Sequence, residues 1–416
     1  MNIVYANEQG DLFDSDRLIA AGRSGADVTE IEKDEWIPLP KGASMVMLPG
    51  TRALGLDQHG HVKAMPTDFH AVGALLPQSY TRLFLPAFAN ASEQPLPLFG
   101  YTAVGFEDGR FYVAAHQTDE PSVWDPSQYD DQSLVDKNVK AMQNSHPQNR
   151  LYEHLSTCAL YYECVTSRNT FFGRQEGALP VSGTCNAGCI GCISEQPEDS
   201  GFPSPQTRLT IRPTVEEMVD LMVTHLQSAG PNGIISFGQG CEGEPMLRGR
   251  EIAQAITKTR EHIETGYINA NTNAGMTQNV LRVVDAGLNL MRVSTISARH
   301  DHYDAYYRPR GYTIDDVRRS AKYASEHGVI VSLNYLVFPG VSDREEEIEA
   351  MIDFINDTGV RLVQMRNLNI DPDYYLSLIP SKSSERYGML GLMEILQKEC
   401  PELRIGSYTH TPDWYR

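Results

Sequence analysis

From Gly177 onward the chain alternates short apolar runs with longer amphipathic stretches, and this alternation constrains the fold more than any other feature. The runs Gly177–Ser182, Gly233–Phe237, Tyr267–Thr272, Leu290–Thr295, Val329–Val337 and Val360–Arg366 have the length and β-branched content of strands. Between them apolar residues recur at helical spacing, as in Val215, Met218, Val219, Met222 and Leu226, and in Ile348, Met351, Ile352 and Ile355. Strands that are each followed by a helix pair in parallel through right-handed crossovers. Six such units predict an α/β architecture, an open partial TIM barrel of the (β/α)6 type, two units short of closure. Pro180 inside the first run fits an open edge, because proline cannot donate to a sheet ladder. Thr214 and Glu217 have capping-box spacing, and Gly230, Gly328 and Gly359 stand where left-handed residues end helices. A last helix is expected over Ser384–Glu399, followed by a short strand at Leu403–Tyr408.

The amino-terminal part reads differently. Short apolar runs (Ile3–Tyr5, Met45–Leu48, Arg82–Leu85) are punctuated by Pro and Gly, as β structure requires. Asp108-Gly109 between two aromatic and β-branched runs, within Tyr101–Ala115, predicts a two-residue hairpin turn. The polar stretch Thr118–Gln132 reads as a linker, and helical patterns follow near Leu134–Met142 and Arg150–Cys164. The expected division is a β-rich domain over 1–117, linker and helices over 118–176, and the barrel with its last helix over 177–416.

Charge narrows the class of substrate. The 416 residues carry 35 Lys and Arg against 54 Asp and Glu, a net charge of −19, which repels nucleic acid unless a local basic face outweighs it. A small molecule or peptide is the expected substrate. No stretch reaches the ~18 apolar residues of a membrane span, and Met1–Phe13 lacks a signal pattern, so a cytoplasmic protein with no membrane partner is expected. Seven cysteines are odd in number and too sparse for a disulfide framework.

Three of those cysteines, Cys185, Cys189 and Cys192, fall within eight residues as CxxxCxxC, directly after the first predicted strand. Gly188 and Gly191 let the backbone wrap around one object while three thiolates point inward. A structural zinc site would require a fourth protein ligand, and none is close in sequence. Three thiolates suit a 4Fe–4S cluster with one iron open to a non-protein ligand.

This loop resembles that of the radical S-adenosylmethionine superfamily, with similarity running from about Leu179 to Asn369. The resemblance implies a cluster held by Cys185, Cys189 and Cys192, whose unique iron binds S-adenosylmethionine. It implies reductive cleavage of that cofactor to a 5′-deoxyadenosyl radical, an electron donor such as flavodoxin or ferredoxin, and hydrogen abstraction from the substrate. One position departs from the family: the residue before the third cysteine, usually bulky or aromatic, is Gly191, so other residues must close the adenine pocket.

Further positions carry the resemblance. Gly243-Glu244-Pro245, after the second strand, resembles the motif that holds the methionine ammonium, with Glu242 as a competing carboxylate expected at the solvent. Asn273 after the third strand, Ser294 and Thr295 at the end of the fourth, and Asn334 in the fifth are candidate contacts to ribose or carboxylate. Strand-end capping is the competing reading of each. Arg308, Asn367, Asn369 and Asp371 are candidate substrate contacts at the barrel mouth. The arginines and tyrosines around Arg308 also admit an RNA-modifying enzyme, which the net charge opposes. Cys241, beside the cofactor loop, is a candidate redox or hydrogen-donor residue, with core packing the competing reading. Cys158 and Cys164, six apart, would occupy different faces of one helix. The rival from another class is a non-catalytic iron–sulfur electron carrier or regulatory binder. Substrate, fate of the substrate radical, any further cofactor such as cobalamin and the purpose of the amino-terminal domain are not legible in the sequence.

Overall fold

In the computed structural model, residues 1–90, 95–96, 100–120, 125–129, 131–201, 203–380 and 384–415 are described. Residues 121–124 and 130 of the expected linker lie outside them.

The carboxyl-terminal half is built on seven strands: Glu176–Leu179, Ile234–Phe237, Tyr267–Thr272, Leu290–Thr295, Ile330–Val337, Leu362–Asn367 and Arg404–Gly406. They lie side by side in chain order, every neighbouring pair parallel. Among the described residues the first and seventh strands do not pair, so the barrel is open. The first strand stops at Leu179 rather than at Ser182, because Pro180 has no N–H to continue the ladder. Helices Val215–Ala229, Gly249–His262, Thr277–Asp285, Ile314–Glu326, Glu345–Thr358 and Gly388–Glu399 cover the outer face. Thr214 and Glu217 form the expected capping box, and Gly359 ends its helix at a φ of 69°, which a side chain would oppose.

The two faces of this sheet differ in chemistry. Outward residues such as Ile235, Val293, Leu333 and Val363 are fully buried against the helices. Inward positions are polar, and they bond across the lumen: Ser236 Oγ donates to Glu176 Oε1 at 2.7 Å, and Asn269 Nδ2 donates to Ser236 Oγ at 3.0 Å. The inner layers of a closed TIM barrel are filled by branched apolar side chains. A polar lumen instead has groups to spare for a ligand.

Among the described residues thirteen amino-terminal strands form a branched, antiparallel sheet over several small apolar clusters. Strands Thr102–Glu107 and Arg110–Gln117 meet at the predicted turn, with Asp108 at φ 50° and Gly109 at φ 76°, the signs a type I′ turn needs. The sheet docks on the last strands of the barrel. The Arg82 amide donates to Asn367 Oδ1 at 2.9 Å, and the buried Arg82 guanidinium donates to the Leu368 carbonyl at 2.5 Å. Asp119 Oδ2 lies 2.7 Å from His410 Nε2.

The helix expected over Arg150–Cys164 runs Arg150–Leu160, and a further helix, Val165–Phe172, follows it. Glu163, at φ 50°, turns the chain between them. The last helix begins at Gly388, not Ser384, because Arg386 bridges to Arg344 and the Tyr387 amide bonds to Asp343.

Candidate active site at the cysteine loop

The loop carrying Cys185, Cys189 and Cys192 is held by backbone bonds from two sides. The Gly243 amide donates to Ser182 O at 2.7 Å and the Glu244 amide to Thr184 O at 2.9 Å. A Cβ at Gly243 would overlap the Thr184 carbonyl, so this approach requires glycine. From the other side, the amides of Gly188 and Ile190 donate to Tyr307 O and Tyr306 O at 2.9 and 3.1 Å. The segment after the fourth strand thereby sets the loop's shape.

The three thiols are half-buried. Burial, with Glu244 nearby, pushes the Cys185 thiol up to about 11, and burial pushes Cys189 well above the usual range. Thiols in such a place ionise readily only when a bound cation offsets the charge. Among the described residues, no group of three His, Cys, Asp or Glu side chains converges on one metal-ion position. A cluster binds each thiolate to a different iron and does not need that convergence. Two neighbours suit such a group. Asn186 Nδ2 is buried and unpartnered, and Arg208 Nη2 donates to Cys192 Sγ at 3.4 Å.

The two carboxylates of the next loop play different parts. Glu244 is 3% exposed; its Oε1 accepts from Met246 N at 2.9 Å and Thr272 Oγ1 at 2.5 Å, and its Oε2 from Asn273 N at 2.8 Å. Two oxygens offer about four lone-pair directions, so one on Oε2 is left. Burial raises Glu244 to about 7 despite these donors. Glu242 is not at the solvent, contrary to expectation. Its Oε2 accepts the amides of Val181 and Ser182 at 2.8 and 2.7 Å, and its Oε1 that of Gly238 at 2.7 Å. It staples the ends of the first two strands, and burial raises it to about 8.

The remaining expected residues divide. Asn273 joins the site, its Nδ2 donating to Asn186 Oδ1 at 2.7 Å. Ser294 and Asn334 sit opposite each other in register on the lumen face, and Arg366 Nε donates to Asn334 Oδ1 at 3.1 Å. Pro245 opens a short 3-10 turn that Glu244 caps. Thr295 Oγ1 donates to Ser297 O at 3.1 Å, the strand-end capping reading. Three of the four candidate substrate contacts have intramolecular partners. Arg308 pairs with Asp199 at 3.2 Å, Asn367 holds Arg82 and Tyr80, and Asp371 caps the Pro372–Leu378 helix while accepting the Leu96 amide at 2.8 Å. Asn369 is exposed beside Gly100. Asn367, Leu368 and Asp371 are thus taken up in docking the amino-terminal part of the chain.

A cavity of about 320 Å3 adjoins the loop, lined among others by Cys241, Gln239, Ile193, Glu176, Arg292 and Arg366. The amino-terminal sheet contributes Gln78 to its wall. Of the charged residues that line this cavity, Glu176 and Arg292 were not among the candidates read from the sequence. The signal available was a charged residue at alternate positions within apolar strands.

Residues 179–355 match the family model described as the Radical SAM superfamily. The chain is similar to a protein of Chlorobium luteolum described as a probable dual-specificity RNA methyltransferase RlmN, 26% identical over 190 residues, or 44% of this chain and 51% of that protein. It therefore spans about half the length of this curated relative. Among solved structures, a radical SAM methyltransferase from Sphaerobacter thermophilus aligns with a TM-score of 0.40 and 19% identity, over 56% of this chain and 65% of that one. Streptococcus suis SuiB bound to S-adenosylmethionine aligns at 0.38 and 14%, over 60% and 56%. The stretch that builds the cysteine loop and the strands around it is a radical SAM domain, the mark of a superfamily of enzymes whose cofactors are a 4Fe–4S cluster and S-adenosylmethionine.

Proposed function

We propose that the chain abstracts hydrogen from a small-molecule or peptide substrate held in the barrel lumen, with an external electron donor such as flavodoxin or ferredoxin. Cys185, Cys189 and Cys192 would hold the cluster, and Glu244, Gly243, Pro245 and Asn273 would seat S-adenosylmethionine. When bound and reduced, that pair supplies a 5′-deoxyadenosyl radical. The protein's own share is positioning and exclusion of water. The observation that carries this reading is the joining of the cysteine loop to the Gly-Glu-Pro loop by two backbone bonds, beside a polar cavity. Cys241, on the cavity wall, is the proposed hydrogen donor or redox group.

Anaerobically reconstituted protein with a reductant should release 5′-deoxyadenosine and methionine, and Cys189→Ala should abolish release. Zinc as the sole metal after anaerobic purification, or S-adenosylhomocysteine as the sole product, would overturn the reading.

A second reading, RNA methylation, is favoured by the similarity to the protein described as RlmN. The net charge of −19 opposes it. Incubation with total RNA and labelled S-adenosylmethionine decides between them: label in RNA selects the second reading.

A further inference from the structure

We infer that the barrel cavity is an oxyanion site, in which Arg366 and Arg292 hold the carboxylate or phosphate of a small substrate. This inference rests on reading the cavity as the substrate chamber.

Charge balance within the lumen carries the argument. Two guanidiniums and two carboxylates line the cavity, and one of the carboxylates, Glu163, pairs with Arg168 at 3.4 Å. Arg292 faces the other, with Nη2 at 3.6 Å from Glu176 Oε1. Arg366 has no ion-pair partner among the described residues. Its acceptors are neutral amide oxygens, Asn334 Oδ1 at 3.1 Å and Gln364 Oε1 at 3.0 Å. Arg366 is half-buried, and a charge partly withdrawn from water without a counterion is destabilising, so an anionic ligand at its free face would be stabilising. Burial accordingly pushes Arg366 down to about 10.

The amide between the two arginines reinforces the point. Gln364 Oε1 accepts from Arg366 and also from Arg292 Nη1 at 3.2 Å, which orients the amide with Nε2 as the free end. That Nε2 is fully buried and has no partner, and Asn269 Oδ1, two strands from Arg366's neighbour Asn334 across the sheet, is likewise unpartnered. Orphaned buried polar atoms call for a ligand or ordered water.

Position and size complete the case. The cavity runs from Arg292 and Arg366 to Cys241 and Gln239, and reaches Ile193 just past the third loop cysteine. An anionic group held at the arginines would direct the remainder of the molecule toward the cofactor loop. A volume of about 320 Å3 lies at the small end of ligand pockets, so the substrate is a metabolite rather than a large cofactor. In a chain of net charge −19, a guanidinium without an ion-pair partner among the described residues also selects for where an anion comes to rest.

The test follows thermal unfolding of the full-length protein at constant ionic strength with succinate, inorganic phosphate or chloride alone. Succinate or phosphate should raise the wild-type midpoint above that in chloride, and Arg366→Gln should weaken the effective anion at least tenfold. Response to succinate only assigns a carboxylate, and response to phosphate only assigns a phosphate ester; response to both supports the shared oxyanion chemistry. Arg366→Met should be more stable than wild type in chloride, since it removes a half-buried charge that has no counterion. No anion response in the wild type, or an Arg366→Met protein less stable in every buffer, overturns the inference. Release of 5′-deoxyadenosine is measured separately. Its presence without an anion response sinks only this inference, whereas an anion response without release sinks the proposed reaction and leaves the site standing.

Discussion

A Cβ placed on Gly191 would lie 2.6 Å from the phenolic Oη of Tyr306. Where a bulky side chain was expected before the third cysteine, this chain has a glycine, and Tyr306 from the helix His300–Tyr307 occupies the space against it. The aromatic group is supplied from another element, and the same residue's carbonyl takes the Ile190 amide at 3.1 Å.

Gly191→Ala should therefore disturb the loop through one overlap with a buried hydroxyl. Overpacking of this kind costs about 1–3 kcal/mol, so iron content after reconstitution and the unfolding midpoint should both fall. In a Tyr306→Phe background the hydroxyl is gone and most of the loss should be recovered. Strictly additive effects of the two substitutions would count against the contact.

Glu244 and Glu242 should respond oppositely to amidation. Glu244→Gln weakens the proposed charge-assisted bond to the methionine ammonium, worth about 1.5–3 kcal/mol or roughly ten- to a hundredfold in affinity, with iron content retained. Glu242→Gln sets an amide NH2 against backbone donors and should lower stability and iron content first, because three backbone amides converge on that carboxylate. Anaerobic calorimetric titration with S-adenosylmethionine, beside iron analysis, separates them. A pure affinity loss at Glu242 would reverse the assignment.

The Sγ atoms of Cys158 and Cys241 are 3.6 Å apart, with His154 Nε2 at 3.9 Å from Cys158. Contact with Cys241, aided by His154 and opposed by burial, holds the Cys158 thiol below the usual range. A disulfide needs the sulfurs at ~2.05 Å, a small approach from this distance. Mild diamide treatment of protein purified before reconstitution should yield a Cys158–Cys241 disulfide on peptide mapping, and Cys158→Ser should block it. A map in which Cys241 joins only the loop cysteines would refute the pairing.

Glu217 accepts from Arg150 Nε and Nη2, both at 2.8 Å, while capping its own helix at Thr214. Arg150 holds its carboxyl down to about 2, below the ordinary 4.5. A lowered folded-state pKa contributes stability in full above 4.5 and loses it as pH falls toward 2. Denaturant unfolding should show Glu217→Gln clearly less stable than wild type at neutral pH. The gap should narrow steadily below pH ~4.5; a gap independent of pH would assign the loss to packing.

The sequence by itself determined what is local. Periodicity placed the barrel strands within a few residues, Asp108-Gly109 set the hairpin turn, and the CxxxCxxC spacing together with Gly243-Glu244-Pro245 identified the loops, because each depends only on neighbours along the chain. Tertiary structure decided which polar groups remain free. Asn367 and Asp371 look like mouth residues in sequence, yet docking of the amino-terminal sheet uses their hydrogen bonds. Glu242 looks like a surface acid, yet two strand ends converge on it. Arg366 looks like the end of a strand, yet its neighbours across and along the sheet offer it only neutral amide acceptors. Whether a buried charge is paired depends on residues far apart in sequence that only the sheet brings together, and that pairing is what separates a structural side chain from one left for a ligand.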